Sequence, residues 1–165
     1  MTQDKLFRCE YKPIGVIRTP HHDPAKTPIQ SRFARDCPGR AEIFPEYAEG
    51  LKDLEGFSHV FLLTHLHRTD TPRLMVKPFL DSTLRGLFAT RHSARPNPIG
   101  LSIVRLASIE GCVLHLLDVD LLDATPLLDI KPYVPRFDKM ENARGGWTDH
   151  IDEETALIRS RRGFS

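Results

Sequence analysis

Two closely spaced prolines, Pro96 and Pro98, stiffen the segment that most constrains this chain. Proline has a fixed φ and no backbone N–H to give to a sheet. It also pushes the residue before it, here Arg95 or Asn97, out of the helical region into extended geometry. The segment from Gly86 to Ser102 is therefore predicted to be a stiff loop between apolar segments, with little conformational entropy left to lose on binding. A rigid connector with solvated arginines is the alternative interpretation.

Composition places the chain among ordinary soluble proteins. Its 165 residues fit one domain that buries its own core, and its residues are 40% hydrophobic and 27% charged. No apolar run approaches the roughly 20 residues of a membrane span, and the opening Met-Thr-Gln-Asp-Lys does not resemble a signal peptide. The three cysteines are widely spaced and form no CxxC pair, which argues against a disulfide framework or a zinc knuckle. The sequence therefore predicts a cytoplasmic location and no membrane association.

Positive charge is concentrated around the proline segment. The net charge is only +1, which is low for a protein that binds nucleic acid. However, Arg85, Arg91, Arg95 and Arg105 lie within about twenty residues with no carboxylate between them. Such a patch suits a small contact with nucleic acid or a site completed by a second subunit. A scattered, solvated surface is the alternative.

Short extended runs dominate the chain. Strands are predicted over 11–19, 58–67, 99–106, 112–119 and 127–130, with a β-bulge between Ile103 and Val104 where the apolar phase shifts. Helices are predicted after Pro45, ending by Gly56, and over 152–163, where acids precede bases. The segments 21–40 and 136–149 are predicted to be loops. These elements indicate a mainly β single domain, 1–165, with a core of about 11–135 and a C-terminal extension, 136–165. A barrel and a sandwich both remain open.

Four motifs, in order, resemble those of one known family. They are Ile14 to Pro20, Leu54 to His59, Gly86 to Ser102 and Asp120 to Tyr133. The chain resembles the TrmO family, also called YaeB-like or TsaA-like, over about residues 11–135. The resemblance implies a closed antiparallel β-barrel with a few short helices that pairs as a homodimer. It also implies an S-adenosylmethionine-dependent methyltransferase that methylates N6 of threonylcarbamoyladenosine beside the anticodon, so its partner would be the anticodon loop of tRNA.

The cofactor site is expected to differ from that of a doubly wound methyltransferase, because the chain has no GxGxxG turn. The resemblance implies cofactor contacts from loops of the barrel. They match Pro28, Ile29, Gln30, His67, Arg68, Arg91, Leu101, Asp120, Leu121, Leu122 and Asp123. The sequence reads Thr-Pro-Ile-Gln where relatives often have Pro-Arg-Gln, and Arg68 replaces a glutamine.

These residue types suit the cofactor. An arginine such as Arg91 can hold its carboxylate in a bidentate pair, and Leu101 can pack on its adenine. Asp120 or Asp123 can accept hydrogen bonds from its ribose or ammonium group. For Asp123, a turn in which the carboxylate accepts from nearby backbone N–H groups is an equal alternative.

Three polar residues further along, Asp129, Lys131 and Tyr133, alternate on one side of an extended run. Asp129 is the candidate to orient the N6 amine or accept its proton, Lys131 to hold a phosphate or the threonyl carboxylate, and Tyr133 to contact the base. In the same scheme Arg95 and Asn97 bind substrate. A Lys–Asp pair at a strand end beside a half-buried tyrosine is the alternative.

Other functions remain open at this stage. His59, His65 and His67 lie on one strand and could bind zinc in a hydrolase, but no Cys, Asp or Glu in that strand completes a ligand set, so no metal is predicted. A non-catalytic module that binds S-adenosylmethionine or a nucleotide is the rival from another class. A methyltransferase acting on another RNA or on a small acceptor is a further alternative.

Overall fold

The computed structural model describes residues 9–69 and 71–160. The predictions for the first five residues and for 161–163 lie outside this part of the chain. The strands are β1 (Gly15–Arg18), β2 (Pro38–Ile43), β3 (His59–His65), β4 (Met75–Val76), β5 (Arg85–Gly86), β6 (Ile99–Glu110), β7 (Val113–Leu117) and β8 (Thr125–Pro132). The α-helices are α1 (Pro135–Asp138) and α2 (Glu153–Ser160), and 3₁₀ turns cover Ser31–Phe33, Pro45–Leu51, Leu54–Gly56, Leu87–Ala89 and Gly146–His150.

Six antiparallel strands close into a barrel in the order β1-β2-β7-β6-β3-β8, and β8 pairs back with β1. β4 and β5 form a separate two-stranded sheet. This confirms the barrel and excludes the sandwich. Because every barrel pair is antiparallel, the ends of β1, β3 and β7 meet the starts of β2, β6 and β8 at one end of the barrel.

The core lies inside the barrel, where alternate side chains of each strand are buried. In β3, Val60, Leu62 and Thr64 point inward, whereas Phe61 and Leu63 are half-buried on the outside. The fully buried side chains include Ile17, Leu62, Leu87, Leu114, Leu116 and Leu127. Burying one leucine contributes about 1.5–3 kcal/mol to folding.

The structure corrects two predictions about strands. β2 begins within the predicted loop 21–40; its inward residues Gly39 and Ala41 are too small to give an apolar strand pattern. The predicted bulge between Ile103 and Val104 is wrong, because the pairing of β6 with β3 is regular over residues 99–105. Ser102 and Val104 both point inward, and the register instead shifts between Leu106 and Ser108 opposite β7.

The helical segments agree with the sequence in place but not always in type. The predicted helix after Pro45 consists of two 3₁₀ turns, separated where Asp53 takes a left-handed conformation with φ of 67°. α2 confirms the C-terminal helix up to residue 160. The connection 136–149, predicted to be a loop, is only partly irregular, because α1 extends to Asp138 and a 3₁₀ turn begins at Gly146. Within it, Trp147 Nε1 donates a hydrogen bond to the Ala89 carbonyl at 2.7 Å. None of the helices within the described ranges combines the length and apolar character that a membrane crossing needs.

Candidate cofactor and substrate site

A cavity of about 710 Å³ opens at the end of the barrel where the strand ends of β1, β3 and β7 meet the starts of β6 and β8. Its volume is in the range typical of small-molecule sites. Ten of the eleven predicted cofactor contacts line it: Pro28, Ile29, Gln30, His67, Arg68, Arg91, Leu101, Asp120, Leu121 and Leu122. Four separate stretches of sequence therefore converge on one cavity, which we call the main cavity.

The two loops that flank the main cavity hold each other in place. Arg91 Nη1 of the proline segment donates a hydrogen bond at 2.7 Å to Gln30 Oε1. Gln30 lies in the long loop between β1 and β2. The long loop is itself ordered by buried Thr27, whose hydroxyl donates to the Asp23 carbonyl at 2.8 Å. Arg91 is thus an exposed cation at the cavity wall with a neutral hydrogen-bond partner, and its charge is available to an anionic group of a ligand.

Arg95 and Asn97, the predicted substrate-binding residues, take different positions. Arg95 lines the main cavity, but its Nη1 also donates to the Thr90 carbonyl at 3.0 Å, and its guanidinium lies 5.7 Å from the centroid of the Phe88 ring. It therefore stiffens the loop as well as facing the cavity. Asn97 is exposed and outside the cavity lining. Its carbonyl accepts from Ile99 N at 2.7 Å, which shapes the start of β6.

Asp120 is the acidic group in the wall of the main cavity. Ser102 Oγ, on the inward face of β6, donates to Asp120 Oδ1 at 2.6 Å. Burial raises the pKa of the Asp120 carboxyl above its usual range, while the hydrogen bond from Ser102 opposes that rise. The sequence analysis missed Ser102 as a site residue. Ser102 lies two residues before Val104 and therefore on the same inward face of β6. A polar residue at such a position could have identified it.

This raised pKa gives the stability a definite pH dependence. The folded protein binds the Asp120 proton more tightly than the unfolded chain does, so this carboxyl stabilises the fold most below the unfolded pKa of about 3.9. That contribution is lost as pH rises through the folded pKa. Asp120→Asn removes the titrating group, so the variant does not lose this stabilisation as the pH rises. The free energy of unfolding of the variant is therefore expected to increase relative to that of the parent from pH 4 towards pH 7. Urea unfolding at several pH values measures it, and a pH-independent difference would contradict the assignment.

Asp123, the eleventh predicted cofactor contact, lies outside the lining of the main cavity. Its Oδ1 accepts a hydrogen bond from Thr19 N at 3.1 Å, and its Oδ2 lies 3.9 Å from both Arg18 Nη1 and His22 Nδ1. The carboxylate therefore joins the segment after β1 to the segment before β8. The turn alternative predicted that this carboxylate accepts from a nearby backbone N–H group. It does accept from a backbone N–H group, but that group belongs to Thr19, which is distant in sequence.

His67 and Arg68 contribute a neutral and a charged group to the same wall. Burial lowers the pKa of His67, and the neighbouring Arg68 and His65 lower it further. His67 is therefore a neutral imidazole at pH 7, which can accept one hydrogen bond and donate another. Arg68 Nη1 donates to the His22 carbonyl at 3.2 Å.

The predicted catalytic residues lie together but apart from the main cavity. Asp129 and Lys131 face outward on β8 and form an ion pair of 2.9 Å. This matches the alternative interpretation of a Lys–Asp pair at a strand end. Tyr133 packs against Phe61 with ring centroids 5.6 Å apart. Asp129 pairs with Leu63, which pairs in turn with Leu101 of the cavity wall. Two strand spacings, about 10 Å, therefore separate Asp129 from that wall along the outer face of the barrel.

Metal ligands do not cluster in the part of the chain that the structure describes. Within residues 9–69 and 71–160, no group of three His, Cys, Asp or Glu side chains is placed to hold an ion. The zinc-hydrolase alternative therefore gains no support from the geometry.

Comparisons with known proteins agree with this architecture. The family model for the tRNA-methyltransferase O N-terminal domain matches residues 16–139. A Pyrococcus abyssi protein named "Probable S-adenosyl-L-methionine-binding protein" is 53% identical over 144 residues, covering 87% of this chain and 78% of its own. The Escherichia coli tRNA (adenine(37)-N6)-methyltransferase is 35% identical over 148 residues, covering 84% of this chain and 63% of its own.

Solved structures share the fold. A crystal structure titled TrmO superposes with a TM-score of 0.74 at 41% identity, over 86% of this chain and 64% of that one. The Pseudomonas aeruginosa TrmO structure gives 0.70 at 40% identity, over 85% and 62%. This chain thus spans less than two thirds of the length of these proteins. The family model covers most of the chain, so the protein belongs to the tRNA-methyltransferase O N-terminal domain family.

Proposed function

We propose that this protein is an S-adenosylmethionine-dependent methyltransferase that acts on N6 of threonylcarbamoyladenosine beside the anticodon of tRNA. The observation that carries the proposal is the main cavity, where ten family-matched cofactor contacts from four stretches of sequence meet. Family membership supports the same function, because the Escherichia coli and Mus musculus relatives are named tRNA (adenine(37)-N6)-methyltransferase. A relative from Archaeoglobus fulgidus is named S-adenosyl-L-methionine-binding protein. A tRNA substrate supports a cytoplasmic location for the protein.

The residues of the main cavity fit this cofactor, which supplies an activated methyl group on a sulfonium when bound. Among residues 9–69 and 71–160, the hydrogen-bond partner of the Arg91 side chain is the neutral Gln30 amide, so Arg91 can hold a carboxylate. Asp120, held by Ser102, offers its second oxygen to a hydroxyl or ammonium donor. Leu101 and Leu121 supply apolar surface for a planar ring.

The substrate has to lose a proton from N6, whose lone pair is shared with the ring and the carbamoyl group. Asp129 is the proposed acceptor or orienting group, and Lys131 the proposed partner of a phosphate or of the threonyl carboxylate. Their mutual ion pair is more than a third exposed on each side, so an incoming anion can displace it at little cost. Tyr133 would contact the base.

A homodimer is part of the proposal. Outward-facing Ile99, Leu101 and Ile103 of β6 are 42%, 53% and 41% exposed, which is a large apolar surface for one strand. Analytical ultracentrifugation tests it: the 18.8 kDa chain is expected to sediment as a dimer, and a monomer at micromolar concentration would exclude it.

A methyl-transfer assay tests the function. Methyl-labelled S-adenosylmethionine is incubated with tRNA that carries threonylcarbamoyladenosine but lacks the N6-methyl group, and with the same tRNA without the carbamoyl mark. Label is expected in N6-methylated threonylcarbamoyladenosine after nuclease digestion. Label in the unmarked tRNA alone would contradict the proposed substrate.

The same assay tests the predicted catalytic residue. Asp129→Ala is expected to slow methyl transfer by about 10²-fold or more, the usual contribution of general base catalysis, while cofactor affinity is unchanged. Glu141→Ala, which changes an exposed carboxylate after α1, is the control and is expected to transfer at the parent rate. Equal rates in both variants would remove Asp129 from the site.

One observation favours the non-catalytic alternative. Asp129, Lys131 and Tyr133 do not line the main cavity of the protomer, so the cofactor could bind without any acceptor group beside it. A module that only binds the cofactor would show normal affinity and no label in either tRNA.

A further inference from the structure

A second cavity of about 540 Å³ adjoins the main cavity. The two share one wall, formed by Gln30, Arg91, Leu101 and Ser102. The rest of the lining of the second cavity is rich in arginine. It includes Arg32 and Arg35, which follow Gln30 in the long loop, and Arg105 of β6. Arg32 and Arg35 do not line the main cavity.

The acidic groups near the second cavity are already engaged by one arginine. Arg105 donates to both oxygens of Asp118 and to Asp36 Oδ1. These hydrogen bonds hold the pKa of Asp118 below its usual range, so Asp118 stays ionised and neutralises Arg105. Arg105 is therefore a structural part of the cavity wall, and the positive charge left for a ligand comes from other arginines.

Arg32, Arg35 and Arg91 carry that remaining charge. Arg32 pairs with Glu153 at 2.7 Å, but the two side chains are 78% and 89% exposed, so the pair is weak and exchangeable. Arg35 lies 3.8 Å from Asp36, and their side chains are 89% and 68% exposed, so this pair is also weak and exchangeable. Arg91 contacts only the neutral Gln30 among these groups. Arg91 is assigned to the cofactor carboxylate, so Arg32 and Arg35 are the two guanidinium groups left to match the size and charge of phosphate oxygens.

We propose that the second cavity binds backbone phosphates of the RNA that the cofactor in the main cavity methylates. This inference rests on the proposed function and names the surface that holds its substrate. The shared wall at Arg91 and Ser102 places a phosphate in the second cavity next to the cofactor in the main one. A cofactor carboxylate cannot account for Arg32 and Arg35, because neither borders the main cavity.

The test removes the two arginines that belong to the second cavity alone. The double variant Arg32→Ala with Arg35→Ala is compared with the parent for binding of a synthetic anticodon stem-loop RNA between 50 and 200 mM salt. Losing two phosphate contacts to a single-stranded loop is expected to reduce the slope of log affinity against log salt by about 1.4. Affinity for S-adenosylhomocysteine, measured by calorimetry, is expected to be unchanged.

A matched control separates a site from general charge. The double variant Arg136→Ala with Arg144→Ala removes the same charge from exposed positions outside the cavity, and its salt slope is expected to equal that of the parent. Arg32→Gln with Arg35→Gln repeats the test with longer polar side chains if the alanine variant unfolds. An unchanged slope in the cavity variants, or an equal decrease in the control, overturns the inference. Preferential binding of polyglutamate at the same arginines also overturns it, since that would indicate an acidic protein partner.

The outcomes distinguish this inference from the proposed function. Methyl transfer with an unaltered salt slope would leave the function standing and remove the phosphate site. A reduced slope without methyl transfer to either tRNA would keep the phosphate site in an RNA-binding protein and remove the enzymatic function.

Discussion

Arg91→Ala is expected to lower the affinity for S-adenosylmethionine by about 10- to 100-fold. A hydrogen-bonded pair between a guanidinium and a carboxylate contributes on that scale, and Arg91 is an exposed cavity cation whose hydrogen-bond partner, Gln30, is a neutral side chain that can move aside. Calorimetry with S-adenosylmethionine or S-adenosylhomocysteine measures the loss. The exposed position of Arg91 means that thermal stability should stay at the parent value.

Arg91→Lys is the matched variant, because lysine keeps the charge but not the planar fork. We expect it to recover part of the affinity, since a point charge attracts a carboxylate without fixing its orientation. Parent-like affinity in Arg91→Ala would show that the cofactor's carboxylate is held elsewhere. An equal loss in both variants would support bidentate recognition as the dominant contribution.

Gly15→Ala is expected to lower the free energy of unfolding by about 1–3 kcal/mol, the usual cost of overpacking. A Cβ atom at Gly15 would lie 2.4 Å from the Glu42 carbonyl oxygen and 3.1 Å from Ile43 Cα. Both are backbone atoms of β2, so relief requires opening the β1–β2 pair of the closed barrel. For a chain of this length the melting temperature should fall by about 2–12 °C.

Gly50→Ala is the control for that substitution. A Cβ atom at Gly50 meets nothing within 4 Å, so the change should leave the melting temperature unchanged or raise it slightly. Urea or thermal unfolding of both variants makes the comparison. Equal melting temperatures for the two variants would mean that β1 and β2 separate more easily than their pairing indicates.

The fold could be predicted where inward residues are large. β3 and β7 bury Leu62, Leu114 and Leu116, and both strands were identified from their apolar pattern. β2 was missed because its inward positions include Gly39 and Ala41, which give no hydrophobic signal. The error over the bulge in β6 has a related cause: the outward side chains of this strand are apolar and its inward Ser102 is polar, so hydropathy assigns the faces the wrong way round.

The convergence of the cofactor stretches could not be predicted from spacing alone. Pro28, His67, Arg91 and Asp120 are far apart in sequence, and only the closed antiparallel order places their loops at one end of the barrel. Family motifs supplied these residues without the topology. The distance from Asp129 to the main cavity depends on how many strands lie between them on the outer face of the barrel. It also depends on how two protomers pair. Neither is encoded in local sequence.

Trp147, the one tryptophan in the sequence, gives the protein a built-in optical probe. Its indole N–H donates to the Ala89 carbonyl at 2.7 Å, and the Arg85 guanidinium lies 5.3 Å from its ring centroid. Ala89 is two residues before Arg91, so any rearrangement of that loop changes the polarity around the indole. We therefore expect the emission of the unlabelled protein to change when a ligand that contacts Arg91 shifts this loop, and stopped-flow fluorescence would then follow ligand entry without a dye.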